Sequence, residues 1–129
     1  MILLDTHVLV WAVAEPTRLS AAALEAIERF RKKDGLAIAA ISLWELGMLF
    51  ARGRIQAYGT IDASIRLVIE GITVKPITPE IVAVSTQFPS EYPSDPADRL
   101  IGATARIEGL ALVTRDEKLR QSPLLQTIW

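Results

Sequence analysis

Short β-like runs alternate along this chain with helical stretches, and that alternation constrains the fold more than anything else in it. The runs are Ile2–Leu4, Leu36–Ile41, Ile72–Val74 and Leu110–Val113, with a last short one at Gln126–Trp129. Each is strand-length, and the clearest are apolar at successive positions instead of alternating with polar ones. Strands buried on both faces belong to a parallel sheet covered by helices on both sides. The stretch from Ser20 to Lys33 sets Leu24, Ile27 and Phe30 on one stripe. The stretch from Thr60 to Glu70 does the same with Ile61, Ile65, Val68 and Ile69. Both are amphipathic helices suited to packing on that sheet.

Punctuation agrees with this reading. Gly35, Gly53, Gly71 and Gly109 fall where helices should stop. Thr78-Pro79 and Asp95-Pro96 each read as an N-cap followed by proline at the first helical position. The stretch "FPSEYPSDPAD", with Pro89, Pro93 and Pro96, is a stiff surface loop feeding a helix. With 129 residues, the expectation is one three-layer α/β domain spanning 1–129, with an open, mainly parallel sheet flanked by helices.

Composition excludes several chemistries. There is no cysteine, so disulfides, thiolate metal sites and cysteine nucleophiles are ruled out. No apolar run approaches the ~18 residues of a membrane span, and the first residues do not form a secretory signal. The expected location is the cytoplasm. A net charge of −1 argues against a generic basic nucleic-acid binder, but not against an enzyme that meets phosphate through a metal ion.

The acids are placed unusually. Ligands of an open parallel sheet bind beyond the carboxyl ends of its strands. Asp5 follows the first run there and Asp116 follows the fourth. "SLWE" suggests Ser42 as an N-cap with Glu45 at N3, and "DPAD" suggests Asp95 as an N-cap with Asp98 at N3. Capping accounts for each acid singly. Jointly, two strand-end acids and two first-turn acids point to one site. Carboxylates paired at about 4 Å repel by on the order of 1 to 4 kcal/mol. Mg²⁺ or Mn²⁺, which prefer oxygen donors and retained water, would offset that.

The stretches "LLDTHVLVW", "SLWE", "DPADRLIGATA" and "LVTRD", in that order and spacing, resemble the motifs of PIN-domain nucleases, and among them the toxin ribonucleases of VapC type. The resemblance spans nearly the whole chain. It implies that Asp5, Glu45, Asp98 and Asp116 are the metal-binding catalytic acids. It also implies that Thr6 and Thr114 supply hydroxyls orienting them, with Ser42 and Arg99 in support. It further implies Mg²⁺- or Mn²⁺-dependent cleavage of RNA (tRNA or rRNA) to a 5′-phosphate and a 3′-hydroxyl, a homodimer, and a small antitoxin partner. One departure is that Pro93 and Ser94 stand in the loop where many relatives carry a histidine.

Other residues read more plainly. His7, the single histidine, is a first-turn helix residue without a partner at metal-ligand spacing. Trp11 and Trp44 read as packing residues, and "RFRKK" at 29–33 as a solvated helix end. Arg52 and Arg54 follow an apolar helix and can border a partner groove. Two alternatives remain. One is a PIN-type RNA-processing nuclease without an antitoxin. The other is a Mg²⁺-binding phospho-receiver with Lys75 at its strand end, although no acceptor aspartate ends a preceding central strand.

Overall fold

The computed structural model describes residues 1–129. Five strands form one sheet: β1 (Ile2–Leu4), β2 (Leu36–Ala39), β3 (Ile72–Lys75), β4 (Leu112–Val113) and β5 (Thr127–Ile128), in spatial order β3-β2-β1-β4-β5. Every pairing is parallel. Seven helices surround it: α1 (Thr6–Ala14), α2 (Ala21–Arg31), α3 (Ile41–Ala51), α4 (Ile61–Val68), α5 (Pro79–Thr86), α6 (Pro96–Glu108) and α7 (Glu117–Gln121). A 3-10 turn lies at Pro16–Arg18. No helix is long and apolar enough to cross a membrane.

The apolar runs divide by the strand period of two. Ile2 and Leu4 of β1, Leu36 and Ile38 of β2, and Val113 of β4 join one core with Val8, Leu9, Ala23, Ile27 and Leu46 from α1, α2 and α3. Leu3, Ala37, Ala39 and Leu112 join the other with Tyr92, Ile101, Ala105 and Leu119. Both faces of the central strands are therefore dry. Each fully buried leucine or isoleucine contributes about 1.5–3 kcal/mol.

Several local expectations need correcting. β2 ends at Ala39, and Ala40 and Ile41 already turn into α3, because Ala40 has helical backbone angles. Ser42 is consequently inside α3 and caps nothing, and the expected Ser42/Glu45 capping box does not form. β4 begins at Leu112, not Leu110. The Leu110 N–H donates to Ala105 O at 2.9 Å, closing α6 in a Schellman turn whose left-handed residue is Gly109 (φ 66°). In α2 the buried face is carried by Ala23, Ala26 and Ile27, while Leu24 is exposed. Ile61 is likewise exposed at the start of α4, and Trp44 is 61% exposed, so it is not a packing residue. The caps at Ser20, Thr60, Thr78 and Asp95 all accept hydrogen bonds from their own helices.

The topology fixes where a ligand site should lie. From β1 the chain builds outward through β2 to β3, then returns to the opposite side of β1 for β4 and β5. Strand order thus reverses between β1 and β4. In doubly wound sheets that reversal opens a crevice at the carboxyl ends of the two strands.

Candidate active site

The register sets the site. Leu4 of β1 pairs with Val113 of β4, so Asp5 and Thr114 are the next residues on the two adjacent strands. The Thr114 hydroxyl donates to Asp5 Oδ2 at 2.7 Å and accepts the Asp116 N–H at 3.0 Å. One buried threonine therefore ties the acid after β1 to the acid after β4. Asp5 also caps α1, its Oδ1 accepting from the Thr6 N–H at 2.9 Å. Asp116 caps α7, accepting from the Lys118 and Leu119 N–H groups. Capping and site membership coexist in both residues.

Thr6, the first residue of α1, reaches across to α3. Its Oγ1 lies 2.8 Å from Ser42 Oγ and 2.5 Å from Glu45 Oε1. A hydroxyl has one proton, and an ionised carboxylate can only accept. The Thr6 proton therefore goes to Glu45, and the Ser42 proton closes the other contact. Ser42 is fully buried, which explains why it braces Thr6 instead of capping α3. The Thr6 and Thr114 hydroxyls each bond an acid directly, and Ser42 bonds Thr6.

Asp98 arrives differently. It sits at N3 of α6, its N–H donating to Asp95 Oδ2 at 3.1 Å. The buried Tyr92 hydroxyl donates to Asp98 O at 2.7 Å. Tyr92 can lie against the first turns of α6 because residue 102 is glycine: a Cβ there would fall 2.0 Å from the Tyr92 hydroxyl. All hydrogen bonds of Asp98 are made by its backbone, so its carboxylate is left to the pocket.

Asp5, Glu45, Asp98 and Asp116 line one pocket of about 390 Å³ together with His7, Val8, Trp11 and Arg115. The charges are felt mutually. Burial raises the Asp5 carboxyl, and the hydroxyl of Thr114 and amide of Thr6 oppose it. Burial also raises Glu45, with the Thr6 hydroxyl pulling down and Asp5 pushing up. Asp98 rises from 3.8 to about 7, through burial first and then the charges of Asp5, Asp95, Asp116 and Glu45. No three of these residues already form a tight ligand set for a single ion. The donor set is all oxygen and anionic, which fits a hard divalent cation and no soft one.

Arg99 does not join this site. Its guanidinium donates to the carbonyls of Ser85, Phe88 and Tyr92, pinning the end of α5 and the following loop. Lys75 pairs with Glu108 at 3.5 Å and does not line the acid pocket, which removes the phospho-receiver arrangement. The loop with Pro93 and Ser94 borders a separate groove of about 710 Å³ with Lys118 and Gln121, and that groove holds none of the four acids.

Three pocket or support residues have no acid motif to announce them: Arg115, Trp11 and Tyr92. Helical spacing offers a signal for one, since His7 and Trp11 are four apart and share a face of α1.

A family model described as PIN domain matches residues 2–123. The chain belongs to the PIN-domain family. Over 130 aligned residues, covering 99% of this chain and 98% of the relative, the PIN domain is 45% identical to Ribonuclease VapC22 of Mycobacterium tuberculosis. Its fold matches solved structures at lower identity. VapBC2 from Rickettsia felis, bound to a DNA fragment from its promoter, aligns with TM-score 0.74 and 19% identity, covering 98% of this chain and 97% of that one. A toxin–antitoxin complex from Klebsiella pneumoniae aligns with TM-score 0.70 and 21% identity, covering 97% and 95%. Such identities speak for the fold, and they agree with the single α/β sheet described above.

Proposed function

We propose that this PIN domain is a Mg²⁺- or Mn²⁺-dependent endoribonuclease, the toxin of a toxin–antitoxin pair, acting in the cytoplasm. The observation that carries this reading is the convergence of Asp5, Glu45, Asp98 and Asp116 on one pocket at the β1/β4 reversal, in a chain 45% identical to a protein named a ribonuclease. Toxin–antitoxin complexes among the structural matches support a small antitoxin partner. The motif resemblance supports a homodimer.

The residues divide the work. Thr114 holds Asp5, and Thr6 with Ser42 holds Glu45, so two carboxylates are fixed before any ligand arrives. Asp116 is fixed by its cap. Asp98 keeps a free carboxylate able to hold or release a proton near neutrality. Asp5, Glu45, Asp98 and Asp116 would hold the cation. When bound, the cation supplies charge to stabilise a phosphodiester under in-line attack and acidifies water.

Incubation of total RNA with the protein in Mg²⁺ or Mn²⁺, against EDTA, with sequencing of the cut ends, tests this. Cleavage confined to the metal arm, and lost in Asp5→Asn and Asp98→Asn, is expected. Undiminished cleavage by either folded variant overturns the site. Growth arrest on expression, relieved by Asp5→Asn and accompanied by co-purification of a small partner, separates a toxin from a processing nuclease.

A further inference from the structure

One cation stands in the acid pocket and does not pair with any acid. Arg115 lines the same pocket as four carboxylates, yet it makes no salt bridge and no side-chain hydrogen bond. Its guanidinium carbon lies 5.8 Å from the centre of the Trp11 ring. Arg18 lies 5.4 Å from the same ring. Trp11 is half-buried and steadied by the Trp129 ring at 6.1 Å. A guanidinium over an indole face is attracted by the ring's electron-rich surface. Here that surface offers Arg115 a seat other than the acids.

Further cations stand in an adjoining pocket. A small pocket of about 110 Å³ shares His7 and Glu45 with the acid pocket and is otherwise lined by Met48, Leu49, Arg52 and Arg54. Both of these arginines are exposed and make no ion pair. Arg115 follows β4, and Arg52 and Arg54 follow α3, which leaves β2, so the cations belong to elements on either side of β1 and its Asp5.

We propose that Arg115, seated on Trp11, and the Arg52/Arg54 pair of the adjoining pocket hold the phosphates flanking the cleaved one, so that single-stranded RNA lies across the acid pocket. This rests on the ribonuclease reading. A guanidinium suits phosphate because its fork matches the anion's geometry. The Trp11 indole beside Arg115 adds a face on which an unpaired base can stack, and a base inside a duplex cannot use it.

The test uses the full chain carrying Asp5→Asn, in Mg²⁺, with a short labelled single-stranded RNA of mixed sequence as probe and anisotropy as readout. Arg115→Ala is expected to weaken binding about tenfold and to reduce the slope of log affinity against log salt by about 1. Arg115→Lys should restore the salt slope while recovering only part of the affinity. Trp11→Phe should weaken single-stranded binding more than duplex binding. In the cleaving chain, Arg115→Ala should raise KM by a larger factor than it lowers kcat. Arg29→Ala is the control, since α2 runs into the amino end of β2 and so ends at the far edge of the sheet. Equal losses from Arg29→Ala and Arg115→Ala overturn the proposal, because the charge would then act diffusely. So does a duplex of the same sequence binding as tightly as the single strand. Cleavage by the unmutated chain with binding and KM unmoved in Arg115→Ala removes this subsite alone. An unmutated, folded chain that neither binds nor cleaves RNA removes the ribonuclease reading with it.

Discussion

Asp98→Asn should make the cation-free protein more stable at pH 8, although it removes a charge from the first turn of a helix. The Asp98 carboxyl rises from 3.8 to about 7 in the fold. A carboxyl raised in this way contributes its stability below the unfolded value and loses it as pH climbs through the folded one. The parent therefore weakens between about pH 4 and pH 7, and the asparagine variant does not. The full gap corresponds to about 4 kcal/mol. Asp98 is only partly buried, and screening reduces this to about 1–2 kcal/mol. An acid at N3 also gains about 0.3–1 kcal/mol from the helix dipole, which the variant forfeits. Burial of the charge, with the neighbouring acids adding to it, outweighs that gain, so the net sign is stabilising. Thermal melts in EDTA should show Asp98→Asn above the parent by about 2–6 °C at pH 8, with a smaller gap at pH 5. Adding Mg²⁺ should close the gap from the other side, because binding to the native state raises the melting temperature of the parent. A variant that melts below the parent at pH 8 in EDTA would falsify the claim that burying the Asp98 charge among the other acids sets the local energetics.

Further consequences follow from the same contacts. Thr114→Val removes the hydroxyl serving Asp5 and Asp116. It should cost about 1–3 kcal/mol and push the Asp5 carboxyl further up, with Thr114→Ser restoring both melting temperature and cleavage; a Val variant cutting at the parent rate removes Thr114 from the site. Apparent Mg²⁺ affinity, followed by titration calorimetry, should rise from pH 6 to pH 8, since the ion competes with a proton on Asp98; a flat profile sinks that competition. Gly102→Ala forces its new Cβ onto the Tyr92 hydroxyl, so Tyr92 must leave its site, at about 2–4 kcal/mol; a melting temperature matching the parent would show that the loop yields freely.

How far the chain could be read follows from which interactions are local. β1 to β5 were legible because Ile2–Leu4 and Leu36–Ala39 are dry on both faces, and the parallel order follows from helices filling the gaps. The acids were legible for the same reason: a strand's end is visible in the sequence, and Asp5 and Asp116 mark two of them. What escaped is what depends on contact across the fold. Ser42 has the spacing of a cap, but Thr6, 36 positions away, takes its hydroxyl into the interior. Arg99 adjoins an acid in sequence and turns from it in space, drawn to three carbonyls around the loop after α5. Gly102 looks like a weak point in a helix until Tyr92 is seen to occupy the space where a side chain would be. Arg115 is the reverse case. Next to Asp116 it reads as an ordinary charged neighbour, and only the Trp11 ring explains how a cation persists unpaired beside four carboxylates. The acids explain what the pocket can hold. The residues proposed to lay a strand of RNA across it come from α1, the turn after α3 and the turn after β4, and no stretch of sequence contains all three.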